Sequence, residues 1–264
     1  MRHSNGLTIV MYHSICENPD AYAVSPTAFS RQMDFLVRNY RVIRLKNARS
    51  QLSGISKDER CVAVTFDDAF SDFATAAYPI LRRSQTPASV FVPTGLVGRT
   101  NAWDASNHII RQRPIMSAND IQQLHADGIV DFGSHTVDHL SMADIPAREM
   151  ERQAFESKRY LEMLLRTPIT IFAYPYGQLD NFSRITTQVL TEIGYDTAVT
   201  THWGTDNSTD NLLSLKRIHF REIDDATTLR AKIEGGYDWI GAKERAGFAM
   251  RWMCKRARLT FQHW

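Results

Sequence analysis

The sequence predicts an α/β fold whose parallel strands close, or nearly close, into a barrel of about seven strands. Three observations predict it. Short apolar runs rich in β-branched and aromatic residues alternate along the 264-residue chain with longer amphipathic segments, as strands alternate with crossover helices. About seven such units follow one another without an internal repeat or a low-complexity linker, which favours a barrel over a doubly wound sheet. Six of the seven runs end in, or just before, polar or otherwise unusual residues, and in such barrels reactive groups gather where strands end.

The first run, LTIVMYH (7–13), ends on His13. Ser25 and Pro26 then supply an N-cap and a proline at the first helical position, opening a helix over 26–39. CVAVTF (61–66) is the second strand; it runs into Asp67 and Asp68, and a helix is expected over 71–84. ASVFVP (88–93) precedes Thr94. Ser117 and Asp120 form a start signal for a helix over 117–127, and GIVDFGS (128–134) leads to His135. A helix over 146–165 separates that strand from ITIFAYP (169–175), which ends on Pro175 before Tyr176. The last units are a helix over 181–193, the strands YDTAVT (195–200) and LKRIHF (215–220), and a helix over 225–235.

Composition excludes several classes. The chain is 43% hydrophobic and 23% charged, ordinary for a globular protein, and a net charge of +2 gives no support for a nucleic-acid partner. Cys16, Cys61 and Cys254 are odd in number and far apart, which argues against a disulfide framework and against a cysteine-held zinc. Cys61, inside a strand run, reads as a small buried apolar residue. The apolar run at the N-terminus is too short for a secretory leader and no run approaches bilayer length, so the expected location is the cytoplasm.

Chemistry concentrates in two stretches. Asp67 and Asp68 place like charges side by side at the end of a buried strand, where successive side chains point to opposite faces. Alone, the pair reads more simply as a cap on the helix near Ser71, because carboxylates favour helix N-termini. His135 and His139, in FGSHTVDHLSM, are four apart and can reach one ion; alone, they are weak evidence. Together the two stretches say more. A carboxylate that ligates a divalent cation is not repelled by its neighbour, since the ion's charge dominates the site. One aspartate can bind the ion while the other stays free as a base. Two histidines and one carboxylate leave the open position of a catalytic site.

TFDDA, SHTVDH and FAYPYG, in that order, resemble the motifs of the polysaccharide deacetylase family, also called the NodB homology or carbohydrate esterase 4 domain. MYHSI and PASVFVPTGLVG resemble its short bacterial members, and the likeness runs over nearly the whole chain. The resemblance implies a distorted, NodB-like (β/α) barrel, usually of seven strands, and a metal-dependent amidase that removes acetyl from N-acetyl sugars. It implies Asp67 as catalytic base, and Asp68, His135 and His139 as ligands of a divalent metal, most often zinc, with cobalt or nickel as alternatives. Pro175 and Tyr176 match the third motif, whose tyrosine N–H helps form an oxyanion hole. For the general acid, His219 resembles the final-motif histidine by its place along the chain, and His13 competes from the first strand end. One departure concerns Ala173, which occupies the position of the arginine that orients the catalytic aspartate; Arg217 is a candidate substitute. The fourth motif has no clean match in TTHWGTDN, which offers His202, Trp203 and Asp206.

Two segments bear on substrate and partners. Trp103, on a long connection over 95–116, can stack on a sugar ring or anchor its loop; His13 and Pro175 are further substrate-binding candidates. Residues 1–240 are read as one catalytic domain and 241–264 as a basic amphipathic helix, with Ala246, Met250, Met253, Ala257, Phe261 and Trp264 at helical spacing. Such a helix either lies on an anionic membrane surface or packs on the barrel. The expected function is removal of N-acetyl groups from an amino sugar in a glycan, an oligosaccharide or a lipid-linked precursor. The rivals are another C–N amide hydrolase on the same barrel and a glycan-binding protein with a degenerate site, which Ala173 favours.

Overall fold

The computed structural model describes residues 6–54, 60–104 and 111–261. Its barrel strands are Leu7–Tyr12 (β1), Cys61–Phe66 (β2), Ala88–Val92 (β3), Val130–Ser134 (β4), Ile171–Ala173 (β5), Thr197–Trp203 (β6) and Leu215–His219 (β7). All seven pair in parallel in chain order, and β1 bonds both β7 and β2, so the barrel closes. It is distorted at its lower end. There the short strand Arg41–Ile43 pairs with the first half of β2, and β3 takes over the same edge from Val64 onwards.

The strands read as continuous apolar runs because both of their faces are covered; every residue of β1 and β2 is buried. Period two still sorts them. Odd-numbered side chains such as Ile9, Ala63, Phe91, Ala173 and Val199 fill the barrel, while even-numbered ones such as Val10, Val64, Val90 and Phe172 pack under the helices. Fully burying each such Val, Ile or Phe contributes about 1.5–3 kcal/mol. Gly133 marks a tight place inside the barrel: a Cβ there would lie 2.7 Å from both Ile171 and Phe91. This shared odd parity aims Asp67, His135 and Arg217 inward.

The helix Pro26–Asn39 has the expected bounds, with Ser25 accepting from the Ala28 N–H. The helix expected over 71–84 runs over 71–83, with a π-helical turn, Phe73–Ala77, inside it before the α-helical segment Tyr78–Arg83. Pro79 explains the π turn, since it has no N–H for the carbonyl four residues back and its ring crowds that carbonyl. The helices Ala118–Ala126, Ala147–Leu165, Arg184–Ile193 and Ala226–Ile233 occupy the expected places. Arg41–Ile43 and the helix Ala48–Gly54 are too short to have announced themselves; Ile43, Leu45 and Ala48 join the barrel-interior cluster at its lower end.

The C-terminal helix, Trp239–Phe261, starts two residues before the expected boundary, and its first turns dock on β6. Gly241 permits this: a Cβ there would sit 2.1 Å from the Trp203 carbonyl oxygen. One turn on, Glu244 accepts from His202 Nδ1 at 2.8 Å and from the Trp203 N–H at 3.0 Å. Met253, Ala257, Phe261 and Trp264 of the expected stripe have side chains outside the described residues. Among the described residues no helix is long and apolar enough to cross a membrane.

Candidate active site

The upper ends of the strands open into a cleft of about 1370 Å³ that contains Asp67, Asp68, His135 and His139. Asp68 follows β2 with φ of 67°, and this left-handed turn lets two consecutive aspartates face one cleft instead of opposite sides of a sheet. His139 and Tyr176 also have positive φ, 55° and 61°. Backbone strain of this kind persists where the surroundings enforce it, and it clusters at functional sites.

Asp68 Oδ1 lies 3.5 Å from His135 Nε2 and 3.3 Å from His139 Nε2, and all three residues are buried. Burial works against charge on Asp68, but the two imidazoles that face it hold the carboxyl far below the usual carboxylate range. Burial also pushes His139 down, whereas at His135 the close Asp68 carboxylate and the charge of Asp67 outweigh burial and raise the ring. The three residues fit a divalent cation. Asp68 Oδ1 is a buried oxygen with no hydrogen-bond partner of its own among the described residues. His135 Nδ1 faces the Ala173 carbonyl at 2.8 Å; a carbonyl only accepts, so Nδ1 carries the proton and Nε2 offers its lone pair to the centre. Two imidazoles and a carboxylate suit zinc and its neighbours.

Asp67 stands apart from that cluster. Arg217 grips it with two bonds, Nη1 to Oδ1 at 2.7 Å and Nη2 to Oδ2 at 2.6 Å, and both side chains are almost completely buried. Burial alone would raise the acid, but the guanidinium outweighs it and keeps Asp67 ionised. Arg217 is itself anchored by the Thr200 carbonyl at 2.7 Å and by Thr65 Oγ1 at 3.2 Å. Ala173 lacks the side chain to orient Asp67, and Arg217 reaches the same carboxylate from β7.

The other expected residues are placed as follows. His13 Nε2 lies 4.0 Å from Asp67 Oδ2. His219 also lines the cleft, but its ring packs edge-on against Trp203 at 4.9 Å, and no hydrogen bond or ion pair joins it to either aspartate among the described residues. Burial and the nearby Lys232 and Arg221 charges push it down to about 4. Tyr176 is half-exposed at the rim, and its N–H has no acceptor among the described residues. Pro175 is buried within the turn below, where its carbonyl accepts from Gly177 at 2.7 Å. Gly177 has φ of 60° and no room for a side chain, since a Cβ would lie 2.6 Å from the Thr201 nitrogen. Trp103 is half-buried and stacks on the imidazole of His139.

Sequence reading missed what supports this centre. Gln153, fully buried on the helix Ala147–Leu165, accepts from the N–H groups of Val137 and Asp138 at 2.9 Å each and so fixes the loop between the two histidines. Its signal was a glutamine on the buried stripe of Met150, Ala154 and Leu161. Glu222 lines the cleft and accepts from both the N–H and the hydroxyl of Ser25, which ties the cleft wall to the first helix. No local pattern announces that contact.

Fold and site together define the class: a (β/α) barrel hydrolase built around an Asp-His-His cluster. The chain belongs to the polysaccharide deacetylase family, whose family model matches residues 54–198. Among its relatives is YxkH of Bacillus subtilis (strain 168), which carries a polysaccharide deacetylase name; it is 27% identical over 214 residues, 80% of this chain and 70% of YxkH. A poly-beta-1,6-N-acetyl-D-glucosamine N-deacetylase of Staphylococcus aureus (strain MSSA476) is 24% identical over 191 residues, 69% of this chain and 63% of that protein. The chain therefore spans less than two thirds of the Staphylococcus enzyme. The structure of IcaB from Ammonifex degensii superposes with a TM-score of 0.74 at 25% identity, covering 88% of this chain and 99% of IcaB.

Proposed function

We propose that the protein is a metal-dependent N-deacetylase that hydrolyses the acetamide of an N-acetylated amino sugar in a glycan. The observation that carries this reading is the convergence of Asp68 Oδ1, His135 Nε2 and His139 Nε2 beside a separate, Arg217-held Asp67 in an open cleft. A divalent cation held by the three ligands supplies Lewis-acid polarisation and a nucleophilic water at neutral pH. Asp67, ionised and fixed in direction, accepts the proton of the attacking water. The N–H of Tyr176 is available to donate to the oxyanion as the carbonyl becomes tetrahedral. The leaving nitrogen must be protonated, since an amide anion does not leave, and the products are acetate and a free amine.

Two observations support His13 over His219 as the acid. His13 stands within 4.0 Å of Asp67, so both proton-transfer groups address one place. His219 is pushed down to about 4, is neutral at neutral pH and backs onto Trp203. A degenerate binding protein loses its main support, because Arg217 does for Asp67 what Ala173 cannot. The activity named for the Staphylococcus relative supports poly-N-acetylglucosamine as the first polymer to try.

The test is acetate release from N-acetylated sugars and oligosaccharides, β-1,6-linked N-acetylglucosamine among them, by protein stripped of metal and reloaded with zinc, cobalt or nickel. Metal-restored release is expected. Asp67→Asn should lower kcat by about 10²–10⁴-fold while metal stays bound, and His13→Ala should cost more than His219→Ala. Metal-loaded protein that releases no acetate from any substrate would overturn the reading.

A further inference from the structure

The two histidine ligands are held by different means. His135 has the partner that ligating histidines ordinarily have on their second nitrogen, the Ala173 carbonyl, and this sets its orientation. His139 has none: its Nδ1 is buried and without a hydrogen-bond partner among the described residues. Its ring instead lies flat against the indole of Trp103, with centroids 4.1 Å apart and planes at 17°. The ring of Tyr176 meets it edge-on, at 4.9 Å and 70°.

Trp103 is built into place from below. It occupies the 3-10 turn Ala102–Asp104, and the residue before that turn, Asn101, is fully buried. The Asn101 amide donates to Asp104 Oδ2 at 3.0 Å and to the Arg111 carbonyl at 3.2 Å, and its oxygen accepts from the Arg113 N–H at 2.5 Å. Arg113 Nη2 in turn pairs with Asp20 at 2.6 Å, with both side chains more than nine-tenths buried. A tryptophan kept only for adaptable contact with a ligand would not need so fixed a base.

We infer that Trp103 is a positioning residue of the metal centre, whose indole face holds the imidazole of His139 in its ligating orientation in place of the hydrogen bond that orients His135. The inference rests on reading Asp68, His135 and His139 as a metal site. The orientation preference of an aromatic pair corresponds to a factor of up to about ten in an equilibrium. The indole face that meets His139 is also unavailable to a sugar ring, so stacking on substrate cannot be the role of that face.

The measurement is zinc affinity, by competition with a chromogenic chelator, together with the visible spectrum of the cobalt-loaded protein. Trp103→Ala is expected to weaken zinc binding about tenfold and to shift the cobalt bands, while Trp103→Phe keeps most of the affinity. Asn101→Ala, which loosens the turn without touching either ring, should move affinity the same way. If Trp103→Ala raises KM but leaves zinc affinity and the cobalt spectrum unchanged, Trp103 serves substrate and the inference is overturned. Wild-type protein that binds no zinc and gives no cobalt spectrum would instead fail the metal site itself, and this inference with it.

Discussion

The two ends of the barrel use the same strained backbone to opposite purposes. At the lower end, the turns leading into β3, β4, β5 and β6 each contain a left-handed residue: Gln85, Gly128, Arg166 and Gly194. All four are exposed, and the two glycines have nothing within 4 Å of where a Cβ would stand. These turns only reverse the chain. At the upper end the left-handed residues include Asp68, Thr136 and His139, which are buried, and Tyr176. Glycine would adopt those angles at no steric cost, but it would bring no ligand and no ring. At Asp68 and His139, where a buried side chain is kept against backbone preference, the site needs that side chain.

Buried charge follows the same division. Asp131, at the start of β4, is neutralised by Arg44 at 3.0 Å and Lys46 at 2.8 Å, both of which reach in from partly exposed positions. Asp67 depends on a guanidinium that solvent does not touch. The largest predicted effect tests that contrast. Arg217→Met should cost about 3–5 kcal/mol in urea denaturation, because it strands a buried carboxylate, and adding Asp67→Asn should recover part of the loss. Asp131→Asn should cost only about 1 kcal/mol. Equal losses at the two ends would erase the distinction.

A pH titration sharpens it further. His219 has an ordinary value of 6.5 but is held near 4 in the folded protein by burial, with Lys232 and Arg221 adding to the effect. Below pH 6.5 the unfolded chain therefore takes up a proton that the folded chain refuses. His219 costs nothing above that pH, and its destabilisation grows to at most about 3 kcal/mol as pH falls towards 4. His219→Asn should flatten this limb of the stability curve; an unchanged slope would show that the ring is not buried as described. The smallest effect belongs to the lower turns. Arg166→Gly should gain about 1 kcal/mol at a left-handed helix cap, with activity unchanged. A loss of activity there would mean that the lower end is not purely structural.

Much of the fold was legible because parallel strands covered on both faces leave unbroken apolar runs, and the helices Pro26–Asn39 and Ala118–Ala126 open with the caps Ser25 and Ser117. The cluster of Asp68, His135 and His139 was legible because its residues lie within or just beyond strand ends, in short local patterns. Arg217 was harder to place. It pairs with Asp67 across 150 positions, and a lone arginine in a strand run carries no sign of its partner. The stacking of Trp103 on His139, and the docking of the last helix through Gly241 and Glu244, likewise join segments that share no local pattern.

By itself the sequence determined the seven strands, their parallel order and the identity of the groups at their ends, because apolar periodicity and caps act over a few residues. The tertiary structure decided which of those groups meet. Barrel closure sets Arg217 against Asp67, left-handed turns bring Asp68 and His139 round to one centre, and loop packing lays Trp103 over the ligand. Such meetings depend on the sum of many long-range contacts, and no short window of the chain contains that sum.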